Sequence, residues 1–306
     1  MGTSQAQLDV KGRYPSALTA LLPGLISKFR GPLYATIFTL AVEPFYFQAA
    51  AAFPWDDVWF FVAGTVLLHA VLYFGINSIF LLFDRKKWLQ HYKLPRTSRM
   101  NPSDSLIRAT IRDATIGQIL VGPVTLYLIG TYVITDKKPR MSALPPVQTL
   151  YFHYFMANVV NEILFYFAHR MFHEVEWLYK NVHKQHHQFI GTIGFAAEYA
   201  HPLEQVVANQ GPTALWCIAN SVHPMIWFVW LFWRLWETYE AHSGYCFEGS
   251  LPHKFGFTNS EHAKWHDYHH TMNKGNYGSE VMDYLFGSMD SWVLKEERNE
   301  KETIKN

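Results

Sequence analysis

Eight histidines fall in three short boxes: His169-Arg-Met-Phe-His173, His183-Lys-Gln-His186-His187 and His266-Asp-Tyr-His269-His270. The first box spaces its rings at i and i+4, the other two at i, i+3 and i+4. On an α-helix those positions share one face. Imidazole is the commonest metal-ligating side chain, and here it recurs at ligand spacing. One tetrahedral zinc takes about four ligands, so eight rings suit two ions, each held by several imidazoles. Histidines satisfied by hydrogen bonds inside a core would be the plain alternative. Three boxes with ligand spacing weigh against it.

Further candidates stand near the boxes. His242 opens His-Ser-Gly-Tyr at the end of an apolar run and reads as a ninth ligand. His262 lies one helical turn before His266, and His201 sits in Glu198-Tyr-Ala-His-Pro-Leu-Glu204; each is an extra ligand or a support for one. Asp267 is placed to orient a ligand ring or cap a helix. Glu162 lies in an apolar stretch before His169, where a bare carboxylate is costly, so it should face inward with a partner. His69 and His153, also in apolar stretches, read as satisfied interior groups.

Imidazole suits zinc, copper, iron and nickel. The carboxylate set of soluble di-iron bundles is missing. Zinc has no redox chemistry, and zinc hydrolysis would use fewer ligands and an open position. No Gly-x-Ser-x-Gly elbow is present, and no Gly-x-Gly-x-x-Gly or Walker loop. A pair of redox metals oxidising a lipid with dioxygen fits best. Its electrons must come from an external donor.

The elements that hold these residues are apolar. Hydrophobic residues make up 49% of the 306 positions, aromatic ones 17% and charged ones only 17%, against about 25% charged in a soluble domain. Net charge is +1, which indicates no nucleic-acid partner. Two cysteines, Cys217 and Cys246, form no disulfide or zinc pattern. Apolar runs at 33–53, 58–83, 115–135 and 147–168 each approach the ~20 residues of a membrane span. The first is interrupted by Glu43-Pro44. A fifth run, 206–236, holds Pro212 and His223-Pro224, which should break it into two short helices. The segment 84–113 carries eight Lys or Arg and should face the cytosol. Loop 54–57 has no basic residue, whereas 136–146 has three, a mild conflict with a lumenal position. All three boxes must reach one site, so the 206–236 run must return to the face it left, as a re-entrant or spanning hairpin.

At the boxes the chain resembles the fatty acid hydroxylase/sterol desaturase superfamily, and within it the 4-methylsterol oxidases. The likeness is carried by the boxes, Glu198–Glu204, Glu237-Thr238, His242–Tyr245, Gly275-Asn-Tyr-Gly278, Asp283 and Phe286-Gly287, over about residues 160–290. It implies that His169, His173, His183, His186, His187, His266, His269 and His270 ligate metal, with His242 matching a further ligand of the hydroxylase branch. Thr238 stands where a tenth would fall, and Trp265 where the sterol branch commonly has a second histidine.

The resemblance also implies two non-haem iron ions, dioxygen, and electrons from NAD(P)H through cytochrome b5 or its reductase. The implied reaction is stepwise oxidation of a sterol C-4 methyl group at the endoplasmic reticulum, with the active site facing the cytosol. Other lipid hydroxylases or desaturases of the superfamily are the alternative; so is a silent metal-binding protein, although no boxed position is missing.

The expected fold is therefore an all-α integral membrane protein. About four transmembrane helices and the hairpin carry a cytosolic histidine-rich cap with a di-metal centre. The expected organisation is a membrane region at 1–145, a catalytic domain at 146–295 and a polar tail at 296–306.

Overall fold

The computed structural model describes residues 17–133, 139–289 and 291–292. Lys137, Lys138 and the 296–306 tail lie outside them. The described residues are mostly helical and contain no strand, only an isolated bridge between Lys93 and Tyr245.

Helices α1 (Ala17–Ala52) and α2 (Asp57–Lys86) come first in the chain, joined by a short turn. Helix α3 (Asp104–Ile116) runs through a π-turn (Gly117–Val121) into α4 (Gly122–Val133). Helix α5 (Val147–Glu174) follows, then α6 (Gly211–Ala219), α7 (Pro224–His242) and α8 (Ser260–Met272). Helix α5 packs on α1 and α6; α7 packs on α2, α1 and α8.

The prolines act unevenly on the helices, and the fifth run does divide into two. Helix α1 continues through Glu43-Pro44 without interruption. Pro212 does not break the fifth run either, because a π-turn (Gln205–Gln210) precedes it and the coil continues into α6. Proline lacks an N–H and clashes with the carbonyl four residues back; one extra residue in the turn relieves both. The same device precedes Pro123. In both, the glycine before proline donates to the carbonyl five back, Gly122 to Gly117 and Gly211 to Val206. A Cβ on Gly211 would lie 2.9 Å from that carbonyl oxygen, which is why glycine stands there. Helix α6 ends at Ala219, and after a short turn that reverses the chain His223 caps α7, whose first residue is Pro224.

The bundle has two distinct ends. At one, Arg140 donates to the carbonyls of Trp55 and Phe53 and pairs with Asp57 at 3.2 Å. The His223 ring also meets Ser142 O there, at 3.1 Å. The 53–57 turn, the 139–142 segment and the hairpin tip thus sit together. This offsets part of the charge conflict noted in the sequence, since Arg140 is neutralised in place. The histidines gather at the other end, and so does the basic 84–103 segment: Arg96 pairs with Asp267 at 2.6 Å and Lys93 with Asp84 at 2.5 Å. The hairpin therefore runs the length of the bundle and back.

Between the ends the core is aliphatic and aromatic. Leu150 and Tyr154 of α5, Ile226 and Trp230 of α7, Ala35 of α1 and Phe61 of α2 are buried together. The outer faces are apolar too: Leu33, Ile37 and Phe45 on α1, Leu67, Val71 and Ile79 on α2, and Ile119 to Val121 with Val124 and Leu128 are exposed. Surfaces of this kind face lipid rather than water. Helix α2 and the stretch 98–131 are long and apolar enough to cross a membrane. Inside lipid, close packing rather than water exclusion holds such helices together.

Candidate metal centre

Four elements deliver histidines to one place. His169 and His173 occupy the last two turns of α5. A short helix (Glu176–Asn181) then turns into the second box, which is a 3-10 segment (His183–Gln188) rather than the α-helix its spacing suggests. His242 is the last residue of α7. Helix α8, capped by Asn259, carries the third box.

The rings sort into two clusters. His169, His173, His183, His187 and His269 form one; His186, His242, His266 and His270 form the other, with ligand atoms within 4.8 Å of each other in each cluster. The box pattern thus has a geometric reading. In each Hx2HH box the i and i+4 rings share one cluster, and the i+3 ring enters the other. The adjacent pairs His186-His187 and His269-His270 each straddle the two.

The protonation pattern follows from the partners. Nδ1 of His169 lies 2.6 Å from Tyr277 O, that of His269 2.6 Å from Gly275 O, that of His242 2.8 Å from Thr238 O and that of His270 2.9 Å from Phe189 O. A carbonyl only accepts, so each Nδ1 donates. In a neutral ring Nε2 is then a bare acceptor. The Nε2 atoms of these four rings and of the other boxed histidines converge. Nε2 of His183 lies 2.7 Å from that of His173 and 3.0 Å from that of His187; His266 and His242 approach to 2.8 Å. Nε2 of His269 is buried with no partner among the described residues. Facing lone pairs repel unless a cation lies between them. Nitrogens ~2.1 Å from a shared ion stand about 3.0 Å apart at right angles, which matches the observed spacings. The residues present therefore fit two imidazole-held cations.

Burial keeps the rings neutral. It lowers His169 to about 4 and His242 to about 3, and pushes His183, His186, His187, His266, His269 and His270 well below the ordinary imidazole value. Neutral imidazole is the form that binds metal.

Around the rings lies a supporting shell, and part of it was not singled out in the sequence. Glu204, 4% exposed, holds His183 Nδ1 at 2.8 Å. Burial pushes its carboxyl well above the usual range. An acidic group behind a ligating histidine is a recurrent metal-site arrangement, and a cation on the ring would favour its ionised form. Glu198 accepts from Gln118 and Tyr239 and meets the His69 ring at 2.7 Å, which satisfies His69. Asp283 is fully buried and accepts from the N–H groups of Tyr277 and Gly278 and from Ser288 Oγ. It fixes the loop whose carbonyls hold His169 and His269. That loop turns at Gly275, with φ +70°; a Cβ there would lie 2.4 Å from Ser288 O.

The remaining candidates sit outside both clusters. His201 caps the Pro202–Glu204 turn, its Nδ1 accepting from Leu203 N at 3.2 Å. Its ring joins neither cluster. His262 lies 3.8 Å from Glu280 and stacks parallel to His266 at 6.3 Å between ring centres. Asp267 neither orients a ring nor caps α8; it accepts from Arg96 and from the N–H and hydroxyl of Thr192. Glu162 is paired as expected, with Lys28 at 2.9 Å and with Ser279. Trp265 is buried and its indole N–H points at Asp283.

Fold and site together define a mostly helical protein with a paired imidazole centre at one end of an apolar bundle. The fatty acid hydroxylase family model matches residues 154–288. A Dictyostelium discoideum protein provisionally named a methylsterol monooxygenase is 31% identical over 249 residues, 81% of this chain and 90% of its own. A methylsterol monooxygenase of Aspergillus fumigatus is 30% identical over 78% of this chain and 81% of its own. A very-long-chain aldehyde decarbonylase of Oryza sativa subsp. indica is 32% identical over 79% and 90%. No solved structure matches. The chain belongs to the fatty acid hydroxylase family, and it is an oxidoreductase.

Proposed function

We propose that this chain is a membrane-bound, non-haem di-iron oxygenase that oxidises the C-4 methyl group of a sterol. The observation that carries this reading is the pair of clusters of bare imidazole nitrogens at the end of an apolar bundle. His169, His173, His183, His187 and His269 would hold one iron; His186, His242, His266 and His270 the other. Bound iron would supply the activation of dioxygen, with electrons from NAD(P)H through cytochrome b5 or its reductase.

The chain's own residues do the rest. Tyr277 O, Gly275 O and Glu204 lock the ring tautomers. A small cavity is lined by His169, His186, His242 and His266 together with Phe165, Ala197 and Ala241. There the apolar side chains keep water off the reacting carbon. The names of the amoebal and fungal relatives support a sterol substrate. The exposed apolar helices support a multi-pass protein of the endoplasmic reticulum, with four spans and the hairpin. The basic 84–113 segment at the histidine end supports a cytosolic active site.

A second reading is a hydroxylase, desaturase or related enzyme acting on another lipid; the rice relative's name favours it. Incubation of the iron-loaded protein with a 4,4-dimethylsterol, NADPH, cytochrome b5 and its reductase should yield the 4-carboxy sterol. Turnover of a long-chain aldehyde instead would support the second reading, and turnover of neither would overturn the first.

A further inference from the structure

A polar cavity of about 100 Å³ adjoins the metal-facing one. Phe165, Arg234, Glu237, His262 and Gly278 line both. Pockets that enclose a whole small molecule run to roughly 300–1,000 Å³, so this one has room for a head group and not for a lipid body. Four buried polar atoms on its lining residues have no partner among the described residues: Arg30 Nε, Trp233 Nε1, Glu240 Oε1 and Thr258 Oγ1. Glu240 is 2% exposed and Thr258 7%. Native proteins rarely leave such atoms unmatched.

Their chemistry selects the guest. Arg30 Nε and Trp233 Nε1 can only donate, so an ammonium, which offers no acceptor, leaves both unmet. Glu240 Oε1 is a carboxyl oxygen, so a carboxylate or phosphate meets it unfavourably. Overall charge agrees. Lys28, Arg30 and Arg234 face the four carboxyl groups of Glu162, Glu237, Glu240 and Glu280, which leaves no positive excess for an anion. A hydroxyl donates and accepts at once, so its chemistry suits both kinds of atom. We propose that this cavity holds a hydroxyl group of the lipid substrate, so that Trp233, Glu240 and Thr258 set which carbon faces the imidazole clusters. The inference rests on the reading of those clusters as the oxidising centre.

The test is equilibrium binding to the full-length protein in nanodiscs, measured metal-free and iron-loaded. The probes are two matched pairs: a 4,4-dimethylsterol with its 3-deoxy counterpart, and 1-octadecanol with octadecane. The wild type should prefer the alcohol at least about tenfold in one pair. Trp233→Phe and Thr258→Val should each cut that preference about three- to tenfold while deoxy binding stays within about twofold. Preference for octadecanol alone would sustain the cavity and overturn the sterol reading. The proposal fails if the wild type prefers neither alcohol, if the variants keep the preference, or if they weaken alcohol and deoxy probes equally.

Discussion

Nine rings and one carboxylate do most of the work at the residue scale. Glu204 belongs to neither cluster, yet it fixes His183 from behind. Glu204→Gln should weaken metal retention or turnover about 10- to 100-fold, read from metal content after dialysis against a chelator. Retention equal to wild type would show that the contact is incidental. His201→Ala, by contrast, should leave metal content unchanged. The pH response has a definite sign. In the unfolded chain, histidine takes up protons below about 6.5; buried His169 and His242 resist until about 4 and about 3. The unfolded state therefore binds more protons between those values. Metal-free stability should be full above about pH 6.5 and fall as pH drops below it, by up to about 1.4 kcal/mol per unit for each ring. Thermal unfolding at pH 7.5 and pH 5 checks this; an unchanged Tm would contradict it. The boxes were legible in the sequence because their spacing is local. Their division into five and four was not, nor were the partners of Asp267 and His201, because contacts such as Arg96 with Asp267 span 171 positions.

Elements place these residues by ending at the right spot. Helix α7 stops on a ligand and α5 one residue past one, and α8 lays its own box across the pair. The loop after α8 is as important as the helices, since Gly275 O and Tyr277 O hold one ring each. Gly275→Ala would put a side chain in a left-handed conformation against Ser288 O. It should cost about 1–3 kcal/mol and lower the Tm of the metal-free protein, with metal lost first from the five-ring cluster. An unchanged Tm would count against this reading of the loop. Helix positions followed from apolar runs and showed in the sequence. The π-turns did not, because apolar periodicity says nothing of how a helix absorbs a proline. Gly122-Pro123 and Gly211-Pro212 were the available signal.

Over the whole molecule, the two ends differ in kind. One gathers short turns around Arg140; the other gathers the basic segment and every ring of the centre. A chain that crosses lipid in this way should show opposite accessibility at its ends. In sealed microsomes, Lys184→Cys should react with an impermeant maleimide and Trp55→Cys only after detergent. The reverse pattern would overturn the orientation. The basic residues give an expectation of sidedness that this labelling tests, whereas the path of the hairpin needed the contact between its tip and Ser142.

The central claim is that the two clusters each hold one metal ion. Metal content per chain of protein loaded anaerobically with iron tests it most directly, with His269→Ala and His242→Ala beside the wild type. Two irons are expected in the wild type, with a fall toward one in each variant. One iron or none in the wild type, or two retained in both variants, would contradict it.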